Sequence, residues 1–517
     1  MTAAAFLLCA AVLALREHHM HQLNSYRADS HIRWLKRTLR GYLKHRILLI
    51  PLLAAPFLPL PSGVFAALCV AQALLELDWP RREAAKKPLV FTPRVKRMLA
   101  THCLLCLLCV AAACRGGALV MAVALFLTPA LVLLSDLINS PIERAINRRY
   151  IGEAARLLRS AAPRLTVIGV TGSYGKTSVK YFLSSMLSAK FNTLMTPASF
   201  NTTLGVVKTV RSDLRPVHEV FICEMGARRP GDVREICELV HPKLGVITSI
   251  GKQHLETFRT LGNVARTKLE LADALPDDGV LFISKEALLT AKREEISNNN
   301  NNTVTFSASD PDCDYAALDV RTSPEGSSFR ARLPSGSLFP FNTRLIGRHN
   351  VANILAAIAV ADSLGVPVDE ITAAVRRLAP VPHRLEVRRA GGLTIIDDAF
   401  NSNEMGAAAA LETLALFHGV KVIMTPGIVE MGEAEDEANR RLGAAAAQVC
   451  DFVFTIGKQI RGGGVGKSSA ASVRAGALDA GMPKDRVVAA ESLASAFERV
   501  REMDAVVLIE NDLPDNY

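Results

Sequence analysis

The clearest chemistry in the 517-residue chain lies in eight consecutive residues, Thr171-Gly172-Ser173-Tyr174-Gly175-Lys176-Thr177-Ser178. They follow the apolar run Arg164 to Val170, which reads as a buried strand. They precede Val179 to Leu187, whose apolar spacing reads as a helix. Strand, glycine loop, helix is the context in which backbone N–H groups and a helix N-terminus cradle phosphates. In such a loop Lys176 offsets phosphate charge and the Thr177 hydroxyl reaches Mg2+, while Thr171, Gly172, Ser173, Gly175 and Ser178 complete the nucleotide cradle. The common GxxxxGK[ST] spacing has glycine where this chain has Val170, so spacing alone does not say which kind of phosphate loop this is.

Further polar residues follow apolar runs downstream. Glu224-Met225-Gly226 closes a predicted strand, Val220 to Cys223. His254 stands just beyond another, Leu244 to Ile250, and Lys268 comes fourteen residues later. Taken alone, Lys268 is an ordinary solvated helix lysine. Gly347-Arg348-His349-Asn350-Val351-Ala352-Asn353 opens a long apolar helix through Leu364. Pro382-His383-Arg384-Leu385-Glu386 precedes a strand, Leu393 to Ile396, that ends in Asp397-Asp398-Ala399-Phe400-Asn401-Ser402-Asn403.

In this order the motifs resemble the Mur ligase and folylpolyglutamate synthase superfamily, nearest its D-Ala-D-Ala-adding branch, over residues 164–517. Thr-Gly-x-x-Gly-Lys-Thr directly after a strand is that superfamily's phosphate loop. The resemblance implies an ATP-dependent ligase that joins a carboxylate to an amine through an acyl phosphate. Its substrates would be a peptidoglycan precursor and an amino acid, dipeptide or other amine, and it would use ATP and two Mg2+ ions. It implies catalytic roles for Lys176, Glu224, His254, Lys268 and Arg384, and metal ligation by Thr177, Glu224, His254 and Lys268, with Lys268 carbamylated by CO2. Asn350 would face the adenine, Arg384 would reach the nucleotide phosphates on closure, and Asp398 would meet the ribose or the metal shell. Pro426 to Gly432 is similar to another loop of the family. There are departures: Phe400 stands for a tyrosine, Glu404 for a proline, and the family's Lys-Gly-Ser-Arg near the end is missing. They fall on the substrate side more than on the ATP side.

The elements that must hold these residues read as α/β. A helical transmembrane region (1–160) leads into a P-loop ATPase-type central domain (161–380) and a Rossmann-like C-terminal domain (381–517). The net charge of +10 is uneven, with residues 1–160 carrying +13 and the rest −3. Basicity confined to an apolar third points to membrane and cytoplasmic loops rather than nucleic acid. Three apolar blocks stand there: Thr2 to Leu15, Ile47 to Leu75 and Met98 to Ser135. The first reads as an uncleaved anchor. The second, interrupted by prolines, reads as a re-entrant or shallow hairpin. The third breaks at Arg115-Gly116-Gly117 and is long enough for two spans. The flanking loops 16–46, 79–98 and 141–160 hold eight, seven and five Lys/Arg, which assigns them to the cytoplasm. The expectation is a multi-pass cell-membrane protein in contact with lipid, with cytoplasmic catalytic domains. Cys103, Cys106 and Cys109 read as helix packing. Gly462 to Ser468 and Asn298 to Asn302 read as surface loops.

Family members carry a domain ahead of the phosphate loop that holds the UDP end of the substrate, and here the membrane region takes its place. Two substrate readings stay open: a UDP-linked muramoyl tripeptide joined to D-Ala-D-Ala, or a lipid-linked wall precursor. A third reading, a catalytically inactive membrane scaffold, conflicts with the intact Lys176, Glu224, His254 and Lys268.

Overall fold

The computed structural model describes residues 2–59, 61–82, 87–161, 163–291, 302–400, 403–457 and 469–511. Gly462 to Ser468, Asn401, Ser402 and most of the asparagine run at 298–302 lie outside them. The chain forms two compact units, residues 1–149 and 150–512.

The first unit is helical. Thr2–Leu23, Ser62–Arg82, Pro93–Gly116 and Ala118–Phe126 share an apolar core that includes Phe6, Leu13, Phe65, Cys106 and Leu125. The predicted break at Arg115-Gly116-Gly117 is present: Gly117 adopts φ 68° between two helices. Thr2–Leu23 and Pro93–Gly116 are long and apolar enough to cross a membrane. Ala118–Phe126 and Thr128–Ala161, bent by 79° at Leu127, pass that test only as a pair. The apolar block at 47–75 divides into Leu49–Ala54, a 3-10 turn at Ala55–Phe57 and Ser62–Arg82.

The first helix runs past Leu15, and its last turns bury Glu17, His18 and His21, of which Glu17 has charged neighbours from other helices. The Arg46 guanidinium sits 2.9 Å from Glu17 and 3.0 Å from Glu76, and His31 lies 3.3 Å from Glu17. Arg94 reaches Asp136 at 2.9 Å and Arg97 reaches Glu143 at 2.6 Å. Most of these groups come from the three loops that the charge pattern assigns to one side of the membrane, and Glu76 lies just ahead of one of them.

The second unit begins at Tyr150, earlier than the boundary at 160 read from sequence. Ala154 and Leu158 are buried in the same core as Val206, Val210 and Phe221, which draws the end of the helix into this unit. Nine strands form its first sheet: β1 (Thr166–Thr171), β2 (Thr193–Met195), β3 (Val220–Glu224), β4 (Leu244–Ile247), β5 (Val280–Ser284), β6 (Thr303–Ser307), β7 (Tyr315–Ser323), β8 (Gly326–Arg332) and β9 (Leu338–Thr343). Their order is β2-β3-β1-β4-β5-β6-β7-β8-β9, parallel through β7 and antiparallel beyond. Fully buried runs such as Val220–Glu224 suit a sheet covered on both faces. The chain order reverses at β1, between β3 and β4, so the carboxyl end of β1 is the crevice where α/β sheets take ligands.

The second sheet comprises β10 (Glu386–Ala390), β11 (Leu393–Asp398), β12 (Val420–Thr425), β13 (Phe452–Ile456), β14 (Val487–Ala490) and β15 (Ala505–Glu510), in the order β10-β11-β15-β12-β13-β14. Only the edge strand β10 is antiparallel.

Candidate active site

The glycine loop leaves β1 and enters the helix Lys176–Leu187. Gly172 and Gly175 take φ 149° and 83°, where a side chain is strained. A Cβ on Gly175 would overlap the Asn353 amide, so the helix Arg348–Ser363 seats directly on the loop. Thr171 and Ser173 brace the loop. The Thr171 hydroxyl donates to the Met225 carbonyl at 2.9 Å and the Ser173 hydroxyl to the Gly251 carbonyl at 3.0 Å. Half-buried Lys176 folds back over the loop and donates to the Gly172 carbonyl at 2.7 Å. Burial lowers its ammonium pKa to about 8, against the pull of Glu224. Ser178 is buried in the first turn of the helix.

Glu224, at the end of β3, is the hub of the site and is 1% exposed. One carboxylate oxygen accepts from the Thr177 hydroxyl at 3.1 Å and from the Asn201 amide at 3.2 Å. The other faces the Lys180 ammonium at 3.0 Å. Burial alone would raise this carboxyl, but Lys180 and Lys176 hold it below its ordinary range. A hydroxyl from the first turn of the helix and an ionised carboxylate from the end of β3 form a hard oxygen pair of the kind Mg2+ takes. The predicted pairing of Thr177 with Glu224 is therefore present in the fold.

His254 adopts φ 51° at the start of the short helix Leu255–Phe258. Its Nδ1 is hydrogen-bonded to the Glu430 carboxylate, which comes from the loop after β12. A carboxylate behind one ring nitrogen fixes the tautomer and leaves the lone pair on Nε2. Burial lowers the His254 pKa, and Glu430 opposes the shift. Lys268, on Leu261–Asp273, is 2% exposed, with no carboxylate within ion-pair reach among the described residues. Burial first, and Lys176 second, lower its pKa to about 7, with Asp232 and Glu270 opposing. It is therefore not the solvated lysine that the sequence alone would suggest. Among the described residues no three His, Cys, Asp or Glu side chains cluster as a metal cage, and the predicted ligand set contains only two of these types, Glu224 and His254.

Arg384 reaches from the C-terminal domain to the Thr177 hydroxyl at 3.2 Å. Its guanidinium lies 4.6 Å from the centre of the Phe400 ring, which stacks there without the tyrosine hydroxyl. Asp398, pushed by burial to a pKa of about 7 against the pull of Arg384, accepts from the Leu385 N–H at 3.2 Å. Asn350 is buried and donates to the Ile346 carbonyl at 2.9 Å. Glu404, in place of proline, is held by Arg441 at 2.7 Å and lies 3.9 Å from Lys252. The Tyr174 hydroxyl meets the Met405 sulfur at 3.0 Å, adding another contact between the loop and the C-terminal domain.

Sequence reasoning missed four participants: Lys180, Asn201, Asn353 and Glu430. Lys180 had a usable signal, a lone cation one turn beyond Lys176 in an apolar helix. Glu430 lay in a quoted loop but acquires a role only when two domains meet.

Comparison with known proteins agrees with this geometry. Residues 170–361 match the Mur ligase middle domain, and residues 383–509 match the Mur ligase glutamate ligase domain. The UDP-N-acetylmuramoyl-tripeptide--D-alanyl-D-alanine ligase of Escherichia coli is 32% identical over 60% of this chain and 69% of its own length. The Bacillus subtilis enzyme of the same name is 31% identical over 56% of this chain and 63% of its own. The structure of a Thermotoga maritima MurF ligase in complex with ADP superposes with a TM-score of 0.59 at 25% identity, covering 70% of this chain and 80% of that one. Matched in both domains, and carrying the motifs in the order the fold requires, the chain belongs to the Mur ligase family.

Proposed function

We propose that this protein activates the carboxyl of a muramoyl-peptide wall precursor with ATP and joins it to an amine, a dipeptide such as D-Ala-D-Ala in the first instance. The observation that carries the reading is Arg384 of one domain meeting Thr177 of the other beside Glu224. A phosphate seated in the loop is then surrounded by Lys176, the helix N-terminus and Arg384, the charge stabilisation on which phosphoryl transfer depends. The γ-phosphoryl passes to the substrate carboxylate, ADP leaves, and the amine displaces phosphate from the acyl phosphate to form the amide. In this reading Asn350 faces the adenine and Asp398 meets the ribose or the metal shell.

Thr177 and Glu224 suit one Mg2+, and His254 with carbamylated Lys268 suits a second. Mg2+ held by these residues would supply charge neutralisation at phosphate oxygens. The chain's own part is to keep Glu224 ionised, His254 oriented by Glu430, and Lys268 able to lose its proton. In this reading the ligase is a multi-pass cell-membrane protein with cytoplasmic catalytic domains, for which the apolar helices Thr2–Leu23 and Pro93–Gly116 are support. The gathering of charged groups from the three basic loops supports that topology.

The test is product analysis. Full-length protein in nanodiscs is incubated with ATP, Mg2+, D-Ala-D-Ala and either UDP-linked or lipid-linked muramoyl tripeptide. Mass spectrometry should show the tripeptide extended by the dipeptide, with one ADP per bond. ATP turnover with no new amide on either precursor, or with other amines, overturns the reading.

A further inference from the structure

An open groove of about 730 Å³ lies between the helical turns ahead of β1 and the helix Thr203–Asp213. Glu153, Arg156 and Leu157 wall one side, Lys208 and Arg211 the other, and Ser160 and Ser212 complete the lining. Its size falls within the range of small-ligand sites. Arg211 is engaged with Glu153 at 2.9 Å and lies over the Tyr150 ring at 4.0 Å. Among the described residues, Arg156 and Lys208 have no carboxylate within ion-pair reach. Three cations against one carboxylate leave the lining with two uncompensated positive charges, and Leu157, 41% exposed, adds an apolar surface beside them.

The groove is tied to the phosphate loop by the helix that forms one wall. That helix starts just after Asn201, whose amide donates to Glu224. Lys208 and Arg211 lie five and eight residues beyond its first residue, Thr203, about 8–12 Å along the axis at 1.5 Å per residue. An extended three-residue peptide spans about 10 Å. A substrate whose terminal carboxyl reaches the phosphate loop thus carries its sugar to about the near end of the groove, with the diphosphate on the sugar's far side along the same wall.

We propose that this groove binds the diphosphate of a sugar-diphosphate conjugate, with the peptide stem running along Thr203–Asp213 to the phosphate loop. The proposal rests on the ligase reading above. A diphosphate diester carries two negative charges, which matches the lining. One wall precedes the Mur ligase match at residue 170, so the site belongs to this chain's own arrangement. A nucleoside and a polyprenol can each carry that diphosphate, and the groove reads what they share.

The test compares full-length wild-type protein in nanodiscs with the Arg156→Ala/Lys208→Ala double variant, leaving Arg211 in place. Initial rates are measured on UDP-N-acetylmuramoyl-tripeptide, on the same sugar-peptide linked to a polyprenyl diphosphate, and on the sugar-peptide without diphosphate. Each lost charge-assisted contact is expected to raise KM about tenfold. The double variant should therefore show a roughly 10- to 100-fold higher KM for each diphosphate conjugate that the wild type turns over, whether one or both, with kcat, KM for ATP and melting temperature unchanged. The arm that responds identifies the carrier. Unchanged KM in both diphosphate arms, or an equal rise for the diphosphate-free substrate, overturns the proposal. If the wild-type protein ligates nothing, the ligase reading fails separately. Calorimetric binding of the two conjugates then decides the groove: weaker binding by the double variant supports it and equal binding refutes it.

Discussion

Replacing Lys268 with alanine separates a carbamylated metal ligand from an inert buried lysine. Burial and Lys176 bring its pKa from 10.5 to about 7. At pH 7.5 an ordinary lysine is unprotonated in about one molecule in 1,000, whereas Lys268 is unprotonated in roughly three of four. The form that adds CO2 is thus enriched several hundredfold, and the product is an anionic oxygen group of the kind a hard cation takes. Lys268→Ala should lose about 10²–10³ in kcat, the scale of removing one preorganised electrostatic contact. It should regain part of that in acetate or formate, because a small carboxylate can occupy the vacated space. Lys268→Arg, which keeps its charge and fills the site, should be dead and beyond rescue. The wild type should also gain activity with pH through about 7 when CO2 is held constant, and Lys268→Ala should not. The stability sign runs the same way: the unfolded chain holds this proton up to about 10.5 and the folded one only to about 7, so stability from this group rises with pH between them. The assay is amide formation by mass spectrometry across pH and added carboxylate. Full activity of Lys268→Ala without a supplement would refute the reasoning and leave Lys268 a structural lysine.

Lys176→Ala should cut turnover by about 10²–10³ with an unchanged melting temperature, and near-normal turnover would remove Lys176 from the mechanism. Glu224→Gln should destabilise the fold by about 3–5 kcal/mol, since it strands the buried Lys180 ammonium. Because Glu224 titrates below its ordinary value when folded, the wild type should lose this stabilisation only as pH falls below about 4.5, while the variant shows no such acid loss; an unchanged melting temperature at neutral pH would contradict the hub role. Gly175→Ala forces a side chain into φ 83° and against Asn353, so nucleotide affinity measured by calorimetry should fall at least tenfold, and wild-type affinity would refute the seating of that helix on the loop. A reporter after Leu158 should be cytoplasmic and one at Gly116 external, with protease digestion of the ligase half in intact cells as the contrary result.

The parts of the site legible in sequence were those in which a polar residue interrupts an apolar strand pattern. The phosphate loop, Glu224 and His254 each stand at a strand's carboxyl end, and the sheet order puts those ends together. Lys268 was legible only through its register, because its burial comes from tertiary packing. Asn353 and Glu430 act by approach from other elements, and no local pattern encodes an approach. Hydropathy likewise ended the first helix near Leu15. The fold continues it to Leu23, and there Glu17 and His21 lie beside Arg46, His31 and Asp136, which a sum over single residues does not register. The departures at Phe400 and Glu404 proved compensated: one stacks on Arg384 and the other pairs with Arg441.

Where Ala154 and Leu158 lie bears on how the ligase half can be isolated. Motif boundaries suggest cutting just before β1, but that cut uncovers the face of Val206, Val210 and Phe221 that these two side chains close. Burying one leucine is worth about 1.5–3 kcal/mol, a sizeable part of a domain's whole margin. A fragment beginning at Tyr150 keeps its own lid and should dissolve as a folded monomer. One beginning at Leu165 presents a greasy seam to its neighbours and should clump, and a loss of activity in such a fragment would say nothing about catalysis.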